Sequence, residues 1–241
     1  MREHHNIQSV TDWQLHESGN INNIVTFNGQ GCSGKTTQVK ILAKSNKEKY
    51  ECIHSYELRR KFTEKVYEKT EGMDTSIKYL NENGTCKKLY HVEVLGHPSF
   101  AWLIANFYKD VKPLMLKGTT VVLDHYIADY YAVMLAAVDI EDFRSLVRED
   151  LAIPDFDQGT HFYLDIDDHE MYKCRWRKRE EKKHPKNPEK RRKPPVTPSV
   201  FEERRERYQE LCELTPLKCI DATMCENEVA KTVQKVLAPL S

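Results

Sequence analysis

Apolar residues in this chain come in short runs separated by polar and amphipathic stretches. "INNIVTF" (21–27) reads as a buried strand, and "TQVKILAK" (37–44) spaces Val39, Ile41 and Leu42 as a helix packed on a sheet does. "YECIHSY" (50–56) is a second strand. From Leu58 to Leu95 the pattern is polar and mostly helical, with a break at "NENGT". "FAWLIANFYKDVKPLMLKG" (100–118) is a strongly apolar helix that stops at Gly118. "TTVVLDHY" (119–126), rich in β-branched residues, is a third strand, and "DYYAVMLAAV" is helical. "HFYLDID" (161–167) and "LKCIDAT" (217–223) are the fourth and fifth strands, and "ENEVAKTVQKVLAPL" closes as an amphipathic helix. Strands separated throughout by helices predict an α/β fold, a parallel sheet covered on both faces. Such sheets bind ligands at the carboxyl ends of their strands. Here those ends carry "NGQGCSGKTT", "HSYELRR", "DHY" and "DIDD".

Composition narrows the reading. The 241 residues suit one α/β domain with a sizeable core, or at most two small ones. Residues 1–20 read as an N-terminal arm and 21–241 as the domain, with an insert at about 62–95. Lys plus Arg and Asp plus Glu both total 37, so no global charge draws the chain to nucleic acid or membrane. No apolar stretch approaches the roughly 20 residues that span a bilayer. The polar start does not read as a secretory signal, and seven scattered cysteines without a CxxC suit reduced thiols in a cytoplasmic protein. One segment breaks the neutrality: residues 173–193 hold twelve basic and three acidic residues. Such runs are ordinarily solvated loops or nucleic-acid patches. Its place, between a helix that follows a strand and the next helix "VFEERRERYQEL", is that of a mobile lid over about 173–198.

The chemistry starts at "NGQGCSGKTTQ", which satisfies G-x-x-x-x-G-K-[ST] with Gly29, Gly34, Lys35 and Thr36. Small residues at 29, 31, 32, 33 and 34 (Gly29, Gly31, Cys32, Ser33, Gly34) let backbone N–H groups wrap a phosphate ahead of a helix N-terminus. Lys35 reaches the outer phosphates, Thr36 ligates Mg²⁺, and Thr37 continues the cradle. Asp124, closing the third strand, is the matching carboxylate for Mg²⁺, directly or through water. Arg175, Arg177 and Arg179 alternate in the lid, so they do not all share one helix face, and one or two point into the site.

In this order, "VTFNGQGCSGKTTQ", "VVLDHYIADYYAV", "FYLDIDDHEMYKCRWRKR", "VFEERRERYQEL" and "CIDAT" together resemble the thymidylate kinases over most of residues 22–240. The resemblance implies the P-loop kinase fold, a five-stranded parallel sheet flanked by helices. It implies ATP–Mg²⁺ as phosphoryl donor, a nucleoside monophosphate acceptor, and a homodimer through the apolar 100–118 helix; the core is the other place for that helix. By the same resemblance Arg175 or Arg177 lies over ATP, Arg205 stands beside the lid, Asp221 to Thr223 flank the adenine, and Arg59, Arg60 and Tyr126 face the acceptor.

The chain also departs from that family. Gly31 stands where the family carries an acid, Asn28 replaces another, His125 replaces an arginine that would meet the acceptor, and the acceptor segment survives only as "YELRR". An altered acceptor is therefore expected. A monophosphate needs cations to position it, whereas a hydroxyl acceptor wants a carboxylate base, and Glu57 beside Arg59 and Arg60 offers both. A deoxynucleoside or other small-molecule kinase using Glu57 is one alternative. A P-loop ATP-binding regulatory protein without kinase activity is the other.

Overall fold

The computed structural model describes residues 23–45, 49–53, 103–104, 106–134, 139–151 and 153–238. The arm at 1–20, the insert at 62–95, and Glu57, Arg59 and Arg60 lie outside the described residues.

Five strands make one parallel sheet: β1 (Ile24–Asn28), β2 (Tyr50–Ile53), β3 (Thr120–Leu123), β4 (Thr160–Asp165) and β5 (Lys218–Asp221), in the order β2-β3-β1-β4-β5. The order reverses on either side of β1, so a crevice opens at its carboxyl end. β1 and β4 are buried along their whole length, which is why they read as unbroken apolar runs and not as alternations. Helices α1 (Lys35–Ser45), α2 (Lys112–Leu116), α3 (Ile127–Met134), α4 (Ile140–Ser145), α5 (His169–Lys183), α6 (Pro198–Leu214) and α7 (Glu226–Leu237) supply the two covering layers.

Two cores follow from this layering. One face of the sheet packs Phe107, Tyr126, Tyr130, Phe143 and Tyr208. The other packs Phe27, Val39, Phe162, Tyr172 and Phe201. The expected stop of the 100–118 helix is present: Gly118 takes φ +79 and its N–H bonds the Met115 carbonyl at 2.9 Å, a glycine C-terminal cap. Ahead of α2 the same helix carries a π-helical turn over Phe107–Val111.

Under β1 runs a buried polar chain. The Asn28 amide donates to the Thr26 hydroxyl at 2.8 Å and to the Phe162 carbonyl at 3.2 Å. Thr26 then gives its proton to His161 Nδ1 at 2.8 Å, which leaves Nε2–H to donate to the Gln158 carbonyl at 2.8 Å. Burial holds the His161 pKa down, so the ring is a neutral part of the sheet floor. The Asn28 amide nitrogen is thus committed to the sheet interior, while its Oδ1 is buried without a partner among the described residues.

Candidate active site

β1 ends at Asn28 and α1 begins at Lys35, so the intervening loop must turn inside six residues. Gly29 has φ +137, and a Cβ there would lie 2.7 Å from the Leu164 carbonyl oxygen of the neighbouring strand; only glycine fits. Cys32 holds φ +64, the one non-glycine residue in the left-handed region among those described. At Gly31, by contrast, a Cβ would make only an ordinary 3.7 Å contact with Tyr172. The missing acid at 31 therefore has no steric cause.

The Lys35 ammonium folds back over this loop and donates to the carbonyls of Gly29 (2.5 Å) and Gln30 (3.1 Å). Because α1 starts at Lys35, the N–H groups of its first turn have no partner inside the helix and remain for an anion. The Ser33 hydroxyl, 3% exposed on the cavity wall, has no hydrogen-bond partner among the described residues. Thr36 donates its hydroxyl to Asp124 Oδ2 at 2.9 Å, joining the loop to the end of β3.

A cavity of about 1080 Å³ opens over the loop. Its wall is the loop itself, the start of α1, one face of α5, and the β5–α7 turn from Ala222 to Glu226. The basic run is thus not a loop along its first half: residues 173–183 belong to α5, which is capped by Asp168 accepting from Glu170 N–H and Met171 N–H. Helical register then decides which cations face inward. Arg175, Lys178, Arg179 and Lys182, at spacings of three and four, line the cavity together with Lys183. Arg177 lies on the opposite side and is exposed. On the cavity side the Arg179 Nη1 stands 4.0 Å from the Cys32 sulfur. Residues after α5 return along it: Trp176 Nε1–H donates to the Arg192 carbonyl (3.0 Å), Arg192 N–H to Glu180 (3.0 Å), and His169 Nε2 meets the Val196 carbonyl (3.0 Å).

The other expected site residues divide. Arg175 lines the cavity and donates to the Ala222 carbonyl at 2.6 Å. Asp221 points back to cap its own turn, accepting the Thr223 N–H (2.7 Å) and hydroxyl (2.5 Å), and those bonds hold its carboxyl below the usual aspartate range. Thr223 faces the cavity beside Met224 and Val229, an apolar corner suited to a flat base. Tyr126 is fully buried, its hydroxyl spent on the Pro154 carbonyl at 2.9 Å and its ring stacked on His161; an aromatic at a strand end has been drawn into the core. Arg205 grips Asp165 with Nε (3.0 and 3.2 Å) and Nη2 (3.1 Å), so its fork ties α6 to the end of β4. His125 is partly exposed beside Asp124 and turns Nδ1 to Asp129.

Asp129 had no place in the sequence reading. It is 1% exposed, lies directly under the loop, and its Oδ1 accepts the Gly29 N–H at 2.6 Å. Nothing in "DYYAV" distinguishes it from an acid on the solvent side of a helix; the Lys178–Lys183 cations could have been found once the start of α5 was known.

No protein-family model and no curated protein sequence matches the chain. Among solved structures it is similar to thymidylate kinase from Ehrlichia chaffeensis, at 20% identity over 89% of this chain and 97% of that one, with a TM-score of 0.52. At that identity the likeness is one of fold: the chain has the α/β architecture of the P-loop kinases, with the cavity placed over its glycine-rich loop.

Proposed function

We propose that the protein transfers a phosphoryl group from ATP–Mg²⁺ to a nucleoside monophosphate, with an acceptor other than that of the thymidylate kinases it resembles in fold. The observation that carries this reading is the 2.9 Å bond between Thr36 and Asp124 at the mouth of the loop. Two hard oxygens, one from the first turn of α1 and one from the end of β3, next to unpaired amides and Lys35, fit Mg²⁺, which takes one or two protein ligands and leaves its other positions to water and phosphate. Thr36 and Asp124 would hold the ion, and when bound it neutralises charge on the outer phosphates.

The chain's own groups do the remainder. Phosphoryl transfer calls for positioning and electrostatic stabilisation and very little covalent chemistry. The loop amides and Lys35 hold the donor phosphates, Arg175 and Arg179 cross them from α5, and the base lies against Met224 and Val229. A monophosphate acceptor arrives ionised and requires cations and no general base. The test is an ADP-release screen with ATP–Mg²⁺ over nucleoside monophosphates and deoxynucleosides. Acceptor-dependent turnover with a monophosphate is the expected result; silence across the panel sinks the kinase reading, and turnover with nucleosides alone replaces the acceptor class.

Helical register yields a sharper expectation. Arg179→Ala should weaken Mg–ATP binding about tenfold, the effect of one charge-assisted contact. Arg177→Ala should stay within about twofold, as an exposed charge away from the ligand does. Equilibrium titration of both variants checks this, and equal losses would place the nucleotide elsewhere.

A further inference from the structure

Asp129 joins three separate elements at one buried carboxylate. Oδ1 accepts the Gly29 N–H from the end of β1 (2.6 Å) and the Tyr208 hydroxyl from α6 (2.5 Å), while Oδ2 meets His125 Nδ1 in the turn after β3. Burial pushes its pKa up, but the nearby Lys35 and His125 and the bonds from His125 and Tyr208 outweigh that, and the net shift is downward. The group is therefore ionised and only accepts, so the proton between it and His125 sits on Nδ1. Gly29 is held at both ends of its residue: its N–H by Asp129 and its carbonyl by Lys35.

Taking a carboxylate out of water is expensive, and a well-packed apolar residue often serves stability as well or better. The partners of Asp129, however, include the first residue of the phosphate loop and the histidine next to Asp124, which would help hold Mg²⁺. We propose that Asp129 is a positioning residue: it fixes the Gly29 peptide so that Lys35 and the loop amides are aimed at phosphate before phosphate arrives, and with its second oxygen it orients His125. This rests on the reading of the loop as a phosphate cradle.

The probe is inorganic tripolyphosphate, titrated calorimetrically into the full-length protein, which reads the cradle without turnover. Lys35→Ala and Asp129→Ala should each weaken binding about tenfold or more. Asp129→Asn, whose amide oxygen can still accept from Gly29, should remain within about threefold of wild type. A folded Asp129→Ala protein with a lowered unfolding midpoint but undiminished affinity has lost only structure, and that result overturns the proposal. So does an asparagine variant no better than alanine. In the wild type, needing no variant to fold, the Gly29 amide proton should resonate well downfield of the other loop amides without ligand and stay there when tripolyphosphate is added. A Gly29 resonance that lies among the other loop amides and moves downfield only as the ligand binds also overturns it. Wild-type protein that ignores tripolyphosphate ends both readings, whereas binding lost in Lys35→Ala yet intact in Asp129→Ala ends this one alone.

Discussion

Lys35→Ala is expected to lower acceptor-dependent turnover roughly 10²–10³-fold, the usual cost of removing one preorganised charge from a site of electrostatic catalysis. The ammonium already stands over the loop, held by two carbonyls at 2.5 and 3.1 Å. Exchanging those carbonyls for phosphate oxygens takes a short movement and little reorganisation, which is what makes a preorganised charge effective. The α5 cations approach from the cavity's other wall, where Arg179 meets Cys32 and Arg175 the Ala222 carbonyl, so they stand at other points of the site than Lys35. Loss of turnover should exceed loss of Mg–ATP affinity, because the ammonium gains most where charge builds up in transfer. A variant with normal kcat would refute the assignment of the loop.

The same variant carries a second signature. Burial raises the Asp129 pKa and Lys35 is the first of the groups that bring it back down, to a net value below the ordinary aspartate range. A depressed folded-state pKa contributes stability that is present above the unfolded value and lost as pH falls through the folded one. Without Lys35 the depression shrinks. The melting temperature of Lys35→Ala should therefore fall below wild type at neutral pH, and the gap should close as pH drops through the acid range where Asp129 takes up its proton.

The three central strands were legible because nearly every residue in them is buried: "IVTF", "TVVL" and "HFYLD" leave no polar alternation to argue about, and β1 and β4 pass their expected bounds by one residue each, at Asn28 and Thr160. The loop was legible because its constraint is local, a glycine at 29 pressed against β4 and a lysine six residues on. What lay beyond sequence was anything set by distant packing. Tyr126 is a site residue by resemblance, yet its placement depends on His161 and Pro154. Arg177 and Arg179 are indistinguishable until Asp168 fixes where α5 begins. Asp129 is the extreme case: its partners are 100 and 79 residues away in the chain, and no local pattern marks an acid that three elements will enclose.

Gly159→Ala is expected to be the most destabilising small substitution outside the site. Gly159 has φ +96, and a Cβ there would stand 2.4 Å from Ile24 Cγ2 and 2.5 Å from the Ile24 carbonyl oxygen. Neither side has room to yield. Ile24 lies in the central strand, paired with Val121, while Val25 is paired with Thr160 immediately beyond the glycine. The turn before Gly159 is fixed by Asp155, which accepts the Asp157 N–H at 3.0 Å and is gripped by Arg148. Left-handed strain costs about 1–3 kcal/mol and overpacking about 1–3 kcal/mol, so a loss of about 3–5 kcal/mol is expected. For a chain of this size that lowers Tm by roughly 6–20 °C. Two controls separate the causes. Gly159→Asn, which tolerates positive φ but keeps the Cβ, should be nearly as damaging as alanine. Gly118, at φ +79 with nothing within 4 Å of an added Cβ, should lose only about 1 kcal/mol on change to alanine and less on change to asparagine. If asparagine rescues position 159, the backbone angle and not the contact with β1 sets the cost; if alanine is harmless there, the close approach of this turn to the central strand is wrong.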